Sequence, residues 1–225
     1  MTAMLRRLSL FLFLSVICAL AAEYSCSFVE GGWNMKDWRF VRSGRWSYEG
    51  RWVQKENCIQ NVVPEGVGPI ELQGKRAGET YTSMVLAKPI NGSATISTTM
   101  SFEYKMAPLI VLAGPLKENG EAYPEYQEHW EIVLFNEGLN VWHHEVKDGK
   151  PYWRKAAYMK AKFEAGKPYE MTAKIMFTAK VPMLEVKCGD CLFGCMLPTL
   201  PKNYYAGITA CEGVNGFYNF KIISK

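Results

Sequence analysis

From about residue 80 onward the chain alternates. Apolar and polar residues trade places at every second position in a succession of short runs, and the runs end at Gly, Pro, Asn or Asp. Successive side chains of a β-strand point to opposite faces, so this period-2 pattern predicts strands with one buried side. The predicted strands are 81–86, 94–104, 109–113, 125–135, 139–146, 157–163, 169–178, 183–187, 205–211 and 217–223, all rich in β-branched and aromatic residues. Asp148-Gly149 suits a turn with positive φ, and Ala165-Gly166-Lys167-Pro168 marks another. No stretch sustains a helical period with caps. Many short strands at regular spacing imply an all-β sandwich or barrel.

Upstream of this region the chain changes character. Residues 1–22 read as a secretory signal: Arg6 and Arg7 form a basic start, Leu8 to Leu20 an apolar run, and Ala19-Leu20-Ala21 a small-residue cleavage site. The run is too short for a membrane span, which needs about 20 residues. The expected mature domain is therefore 23–225, exported to the extracellular space or, in a bacterium, the periplasm. Loss of Arg6 and Arg7 takes the formal charge from +4 to about +2. The remaining basic residues are interspersed with acids, which argues against a nucleic-acid partner.

Six cysteines follow the signal: Cys26, Cys58, Cys188, Cys191, Cys195 and Cys211. An even number in an exported chain favours disulfides. The cluster Cys188, Cys191, Cys195 is the alternative, a zinc site with Cys211 as fourth ligand. The spacing does not choose among the pairings.

The segment from Trp33 to Pro64 carries Trp33, Trp38, Trp46 and Trp52, with Trp46 and Trp52 expected to flank a hairpin through Tyr48-Glu49-Gly50. Residues 64–78 and 114–124 read as Gly- and Pro-rich loops, the first a lid or binding loop, the second leading into the most polar strand. That strand and its successor carry the strongest functional signal. In EYQEHWEIVLFNEGLNVWHHEV, a turn near Asn136-Glu137-Gly138 joins two strands. Alternation puts Gln127, His129 and Glu131 on one face, with Glu128, Trp130, Ile132, Leu134 and Tyr126 on the other. In the second strand Asn140, Trp142 and His144 point away from Leu139 and Val141. If the two polar sets share a sheet face, amide, imidazole, carboxylate and indole groups converge there. Sugars are held by such a set: indoles lie against the apolar ring faces, and amides and carboxylates take the hydroxyls.

A resemblance can be added to this reading. Ser43-Gly44-Arg45-Trp46-Ser47-Tyr48-Glu49-Gly50 resembles the opening strand and turn of the concanavalin A-like lectin/glucanase superfamily. Tyr169-Glu170-Met171-Thr172, Leu184-Glu185-Val186-Lys187, Tyr205-Ala206-Gly207-Ile208 and Phe217-Tyr218-Asn219-Phe220 resemble its closing strands. Among secreted bacterial members the layout is most similar to the 3-keto-disaccharide hydrolase-like group. The resemblance implies an all-β jelly-roll β-sandwich of two antiparallel sheets.

The retaining glucanases of that superfamily carry acids at i, i+2 and i+5 on one strand. Here Glu128 and Glu131 are three apart and fall on opposite faces. Glu125 and Glu131 share a face but lie about 20 Å apart along an extended strand, far beyond the about 5–5.5 Å that retention needs. The glucanase motif is absent. Carbohydrate binding without catalysis, on a concave sheet face, is thus the first expectation, through Glu103, Gln127, His129, Glu131, Asn140, Trp142 and His144. The second is a glycoside hydrolase or lyase on the same face, with Glu131 or His129 as acid/base. The third is a structural or protein-interaction domain with no small ligand. No cofactor or metal is expected, although calcium held by backbone carbonyls would leave no motif.

Overall fold

The computed structural model describes residues 22–178 and 180–224. The expected signal segment, apart from Ala22, lies outside the described residues. The rest forms two large antiparallel sheets packed face to face, with 53% of residues in strands and 6% in helices. The front sheet has eight strands. Its order is Lys150–Lys160, Gly138–Lys147, Glu128–Phe135, Pro108–Ala113, Asn203–Ala210, Thr82–Leu86 and Trp38–Phe40, with the short Ile90–Asn91 also on Asn203–Ala210. The back sheet has nine, running from Cys191–Met196 through Met183–Cys188 and Tyr169–Met176 to Ala94–Phe102. It continues through Asn215–Phe217, Ile59–Asn61 and Trp52–Gln54, while Asn219–Ser224 pairs with Ala94–Phe102 and with Ala22–Ser27.

The alternation explains the packing. Trp130, Ile132 and Leu134 of one front strand, and Leu139 and Val141 of the next, point into the space between the sheets. There they meet Ile96, Met100, Met171, Ala173 and Phe220 of the back sheet. Burial of side chains such as these stabilises by roughly 1.5–3 kcal/mol each. A second, smaller apolar cluster of Val41, Val85, Leu109, Val111, Ala113, Tyr126 and Val133 covers the opposite side of the front sheet. This sheet is therefore buried on both faces, and Pro108–Ala113 reads as a continuous apolar run.

Three expectations are corrected. No hairpin joins Trp46 to Trp52: residues 44–51 form an irregular segment, and only Trp52–Gln54 is a strand. Gly50 lies so close to the Tyr81 carbonyl and the Thr82 side chain that a Cβ would meet them at 2.2 and 2.0 Å. That close approach ties the segment to the sheet instead of letting it turn back on itself. The disulfides are also absent, all six cysteines being free thiols. Cys26 and Cys58 sit on or beside different back-sheet strands, Cys188, Cys191 and Cys195 on an edge hairpin, and Cys211 just past the front strand Asn203–Ala210. That dispersal also separates Cys211 from the three cysteines it was to join around zinc. Finally, Tyr126 is on the face of His129, not of Trp130, because the strand breaks at Gln127 between Glu125–Tyr126 and Glu128–Phe135.

The loop 64–78 holds a short helix, Pro69–Gln73, with Pro at its first turn where a missing N–H costs nothing. The loop 114–124 folds back through a ladder of Leu116–Lys117 with Glu125–Tyr126. Arg39 to Glu118 and Arg42 to Glu121 ion pairs fasten it.

Candidate functional site

The two polar strands pair in the register that alternation requires. His129 lies opposite His144, Glu131 opposite Trp142, and Val133 opposite Asn140, across a tight turn closed by Phe135 and Gly138. His129, Glu131, Asn140, Trp142 and His144 therefore share one sheet face, as expected. Between Gly138–Lys147 and the edge strand Lys150–Lys160 the register shifts at Val141/Trp142, a bulge that re-aims the side chains around Trp142.

At the centre, Glu131 is clasped by two imidazoles. Its carboxylate oxygens lie 3.2 Å from His129 Nε2 and 3.1 Å from His144 Nε2. The two rings stack, with centroids 4.7 Å apart, and Tyr126 packs on the other side of His129 at 4.6 Å. The Tyr126 hydroxyl is hydrogen-bonded to Ser83 Oγ at 2.8 Å, which in turn bonds Thr209 Oγ1 at 2.6 Å. Burial disfavours charge on Glu131, but His144 and His129 outweigh it and hold the carboxyl well below its usual range. Burial pushes the His129 imidazole down, partly offset by Glu131.

Glu131 and His144 open onto a cavity of about 270 Å³. Its walls include three indoles, Trp46, Trp142 and Trp153, with Arg45, Asn140, Tyr81 and Glu212 among the polar groups. The Arg45 guanidinium sits 4.3 Å from the ring centre of Trp46 and 4.4 Å from that of Trp153, bridging the two indoles by cation–π contact. Ser43 Oγ accepts a hydrogen bond from the Arg45 N–H, a local turn that aims the guanidinium. Trp46 lies over Gly78, whose missing side chain leaves room for the ring. The buried Asn140 Oδ1 has no hydrogen-bond partner within the protein.

A second carboxylate faces the same cavity. Glu212 has φ of 55°, a left-handed conformation uncommon for a residue with a side chain. Asn215 holds this turn in place: its Oδ1 accepts from the Cys211 N–H, and its amide donates to the Met106 carbonyl. Asn61 completes the support, donating to the carbonyls of Thr80 and Gly213 and accepting from the Asn215 N–H. Burial pushes the Glu212 carboxyl up, Arg45 opposes this and Glu131 adds to it. One cavity thus presents a firmly ionised carboxylate and one with raised proton affinity.

The other predicted residues are placed as follows. Gln127 lies beside the cavity rather than in it, its amide donating to Glu125 at 3.3 Å. Glu103 is exposed and follows Ala94–Phe102 of the back sheet, so it does not join the cluster. His143 points to the core side, stacked on Trp130 and 2.7 Å from Glu128. Arg45, Trp46 and Glu212 carry no strand-periodicity signal, since they lie in irregular segments.

This sandwich of two antiparallel sheets, with a polar cavity on one of them, has the jelly-roll fold. The chain is similar in structure to carbohydrate-binding module CBM66 from Bacillus subtilis, at 9% identity and a TM-score of 0.54, over 82% of this chain and 94% of that one. It is also similar to peanut lectin, solved with a 9-residue peptide, at 11% identity and a TM-score of 0.57, over 92% and 98%. Lectin I from Ulex europaeus, solved with the methyl glycoside of α-L-fucose, gives 12% identity and a TM-score of 0.55, over 91% and 98%. No protein-family model and no curated protein matches the sequence.

Proposed function

We propose that this chain is a secreted carbohydrate-binding protein whose ligand lies on the outer face of the front sheet. The observation that carries the reading is one cavity in which Trp46, Trp142 and Trp153 stand beside the unpartnered Asn140 Oδ1 and two carboxylates. Indoles offer flat apolar faces to a sugar ring, and the polar atoms offer acceptors for its hydroxyls. A cavity of about 270 Å³ is near the lower end of small-molecule sites, about 300–1,000 Å³, and suits the end of a glycan better than a long polymer. The fold's likeness to lectins and to a carbohydrate-binding module supports the same class, as does the signal-like segment at residues 1–22.

A glycan array on the mature protein tests this, with Trp142→Ala and Trp153→Ala alongside. The expected result is selective binding, weakened at least about tenfold in each variant. Tenfold corresponds to about 1.4 kcal/mol, within reach of one stacking contact. Signals at background, or binding indifferent to both indoles, would overturn the proposal.

The paired carboxylates favour a second reading, a glycoside hydrolase or lyase. Environments that push two carboxyl groups apart in proton affinity assign a base and an acid. Glu131 would be the base and Glu212 the acid. Turnover of array-positive glycans that is lost in Glu212→Gln, with binding retained, separates this from pure recognition.

A further inference from the structure

Glu131 and the two imidazoles form an arrangement that sugar recognition alone does not explain. Among the described residues, His129, Glu131 and His144 are the one group of three or more His, Cys, Asp or Glu side chains whose ligand atoms all lie within 4.8 Å of one another. An ion with bonds of about 2.0–2.2 Å to nitrogen and oxygen sets tetrahedral donor atoms about 3.3–3.5 Å apart. Here His129 Nε2 lies 3.2 Å from Glu131 Oε1 and His144 Nε2 lies 3.1 Å from Glu131 Oε2. One ligand atom from each of the three side chains falls within 4.8 Å of the other two, so small rotations of the carboxylate and rings reach the spacing a cation would impose.

A second observation concerns His144. Its Nε2 is buried and 3.1 Å from a Glu131 oxygen, yet it makes no aligned hydrogen bond to that oxygen or to any other group. That buried nitrogen is free to take a further partner on the cavity side. The support around the ligands is rigid. Both histidines and the glutamate stand on paired strands in register, and the rings are fixed by stacking on each other and on Tyr126. Sites on strands hold geometry better than sites on loops.

We propose that His129, Glu131 and His144 bind a divalent transition-metal ion of the zinc type. Three protein ligands leave one position open, and Glu131 and His144 line the cavity, so that position faces it. Water or an oxygen of a bound ligand completes the coordination. Two histidines and one glutamate with an open position form the donor set of zinc sites that polarise a bound group. The inference stands apart from the sugar reading, because it concerns the ligands and not what lies above them.

The test uses the mature protein after chelator treatment and dialysis, titrated with zinc by calorimetry and with cobalt(II) by absorbance. One equivalent is expected to bind, and cobalt should give visible d–d bands without the near-ultraviolet sulfur charge-transfer band of thiolate sites. His129→Ala and His144→Ala should each weaken binding more than about 100-fold, since loss of even an outer-shell partner costs about 10–100-fold. Glu103→Gln, an exposed carboxylate outside the cluster, should leave metal affinity unchanged.

If the alanine variants do not fold, zinc-edge X-ray absorption on the unmodified protein decides. The chain has only three histidines, and His143 is on the opposite face with Glu128 and Thr199. Two imidazoles around zinc, with no sulfur near 2.3 Å, therefore identify His129 and His144. No saturable binding, sulfur in the coordination shell, or affinity untouched by both histidine variants would overturn the proposal. A failed glycan array with a positive metal titration would refute the sugar reading alone.

Discussion

Asn215 shows how much one side chain carries here. Its amide bonds Met106, its oxygen accepts from Cys211, and its backbone N–H reaches Asn61. Together these fix the left-handed turn at Glu212 and so the far wall of the cavity. Asn215→Ala strands the Met106 carbonyl and leaves the Cys211 N–H only its longer, 3.3 Å bond to the Ala107 carbonyl. Each unsatisfied buried group costs about 1–3 kcal/mol, so the urea midpoint should fall clearly. Ligand affinity should fall with it, because Glu212 loses its anchor. A variant with an unchanged melt would show that the turn holds itself.

At the scale of elements, the front sheet depends on strands approaching closely at its centre. Gly207 on Asn203–Ala210 faces the backbone of Thr82–Leu86, where a Cβ would come within 2.0 Å of the Met84 carbonyl and 2.5 Å of the Val85 Cα. No rotamer relieves a clash with backbone on the neighbouring strand. Gly207→Ala should destabilise by about 1–3 kcal/mol, as overpacked cores do. Gly68→Ala is the control: nothing lies within 4 Å of a Cβ there, and its φ is −74°, which any residue adopts. A loss of stability at Gly68 comparable to that at Gly207 would contradict the crowding explanation.

The same elements show what periodicity conveys. Glu128–Phe135 and Gly138–Lys147 were legible because each has one face against the core, and the pleat then fixes where His129, Glu131, Asn140, Trp142 and His144 point. The Asp148-Gly149 turn was legible as well, both residues having positive φ. Lys150–Lys160 begins seven residues before its predicted start because its first half is exposed and does not alternate. Trp38–Phe40, Trp52–Gln54 and Ile59–Asn61 are three residues each, too short for a period to register.

Over the whole molecule, the cysteines give the clearest departure from expectation and a further prediction. Burial pushes the Cys188 thiol up to about 12 and the Cys195 thiol up to about 11. The thiolate is the reactive form, and at pH 8 a thiol with a pKa near 12 is ionised in about one molecule in ten thousand. Alkylation of Cys188 in the folded protein should therefore be slow at pH 8 and keep accelerating as the pH rises past 10. Denaturant should bring it to the rate of an ordinary cysteine. Thiol titration in denaturant without reductant should find free thiols at all six positions from Cys26 to Cys211; mass spectrometry of the blocked peptides checks both expectations.

The sequence by itself determined the all-β class, the paired polar strands and which of their side chains share a face. Those follow from backbone geometry, which repeats every two residues and needs no knowledge of distant neighbours. Only the tertiary structure decided that Glu103 stands apart, just past the back strand Ala94–Phe102, and that Arg45, Trp46, Trp153 and Glu212 close the cavity around Glu131. It also decided that Cys26, Cys58 and Cys211 stand apart from the edge hairpin that carries Cys188, Cys191 and Cys195. These depend on contacts between residues far apart in the chain, made through irregular segments whose paths are set by close packing, as where Gly50 and Gly78 let the chain pass. No local pattern encodes such meetings, because the energy that fixes them belongs to the packed sandwich as a unit.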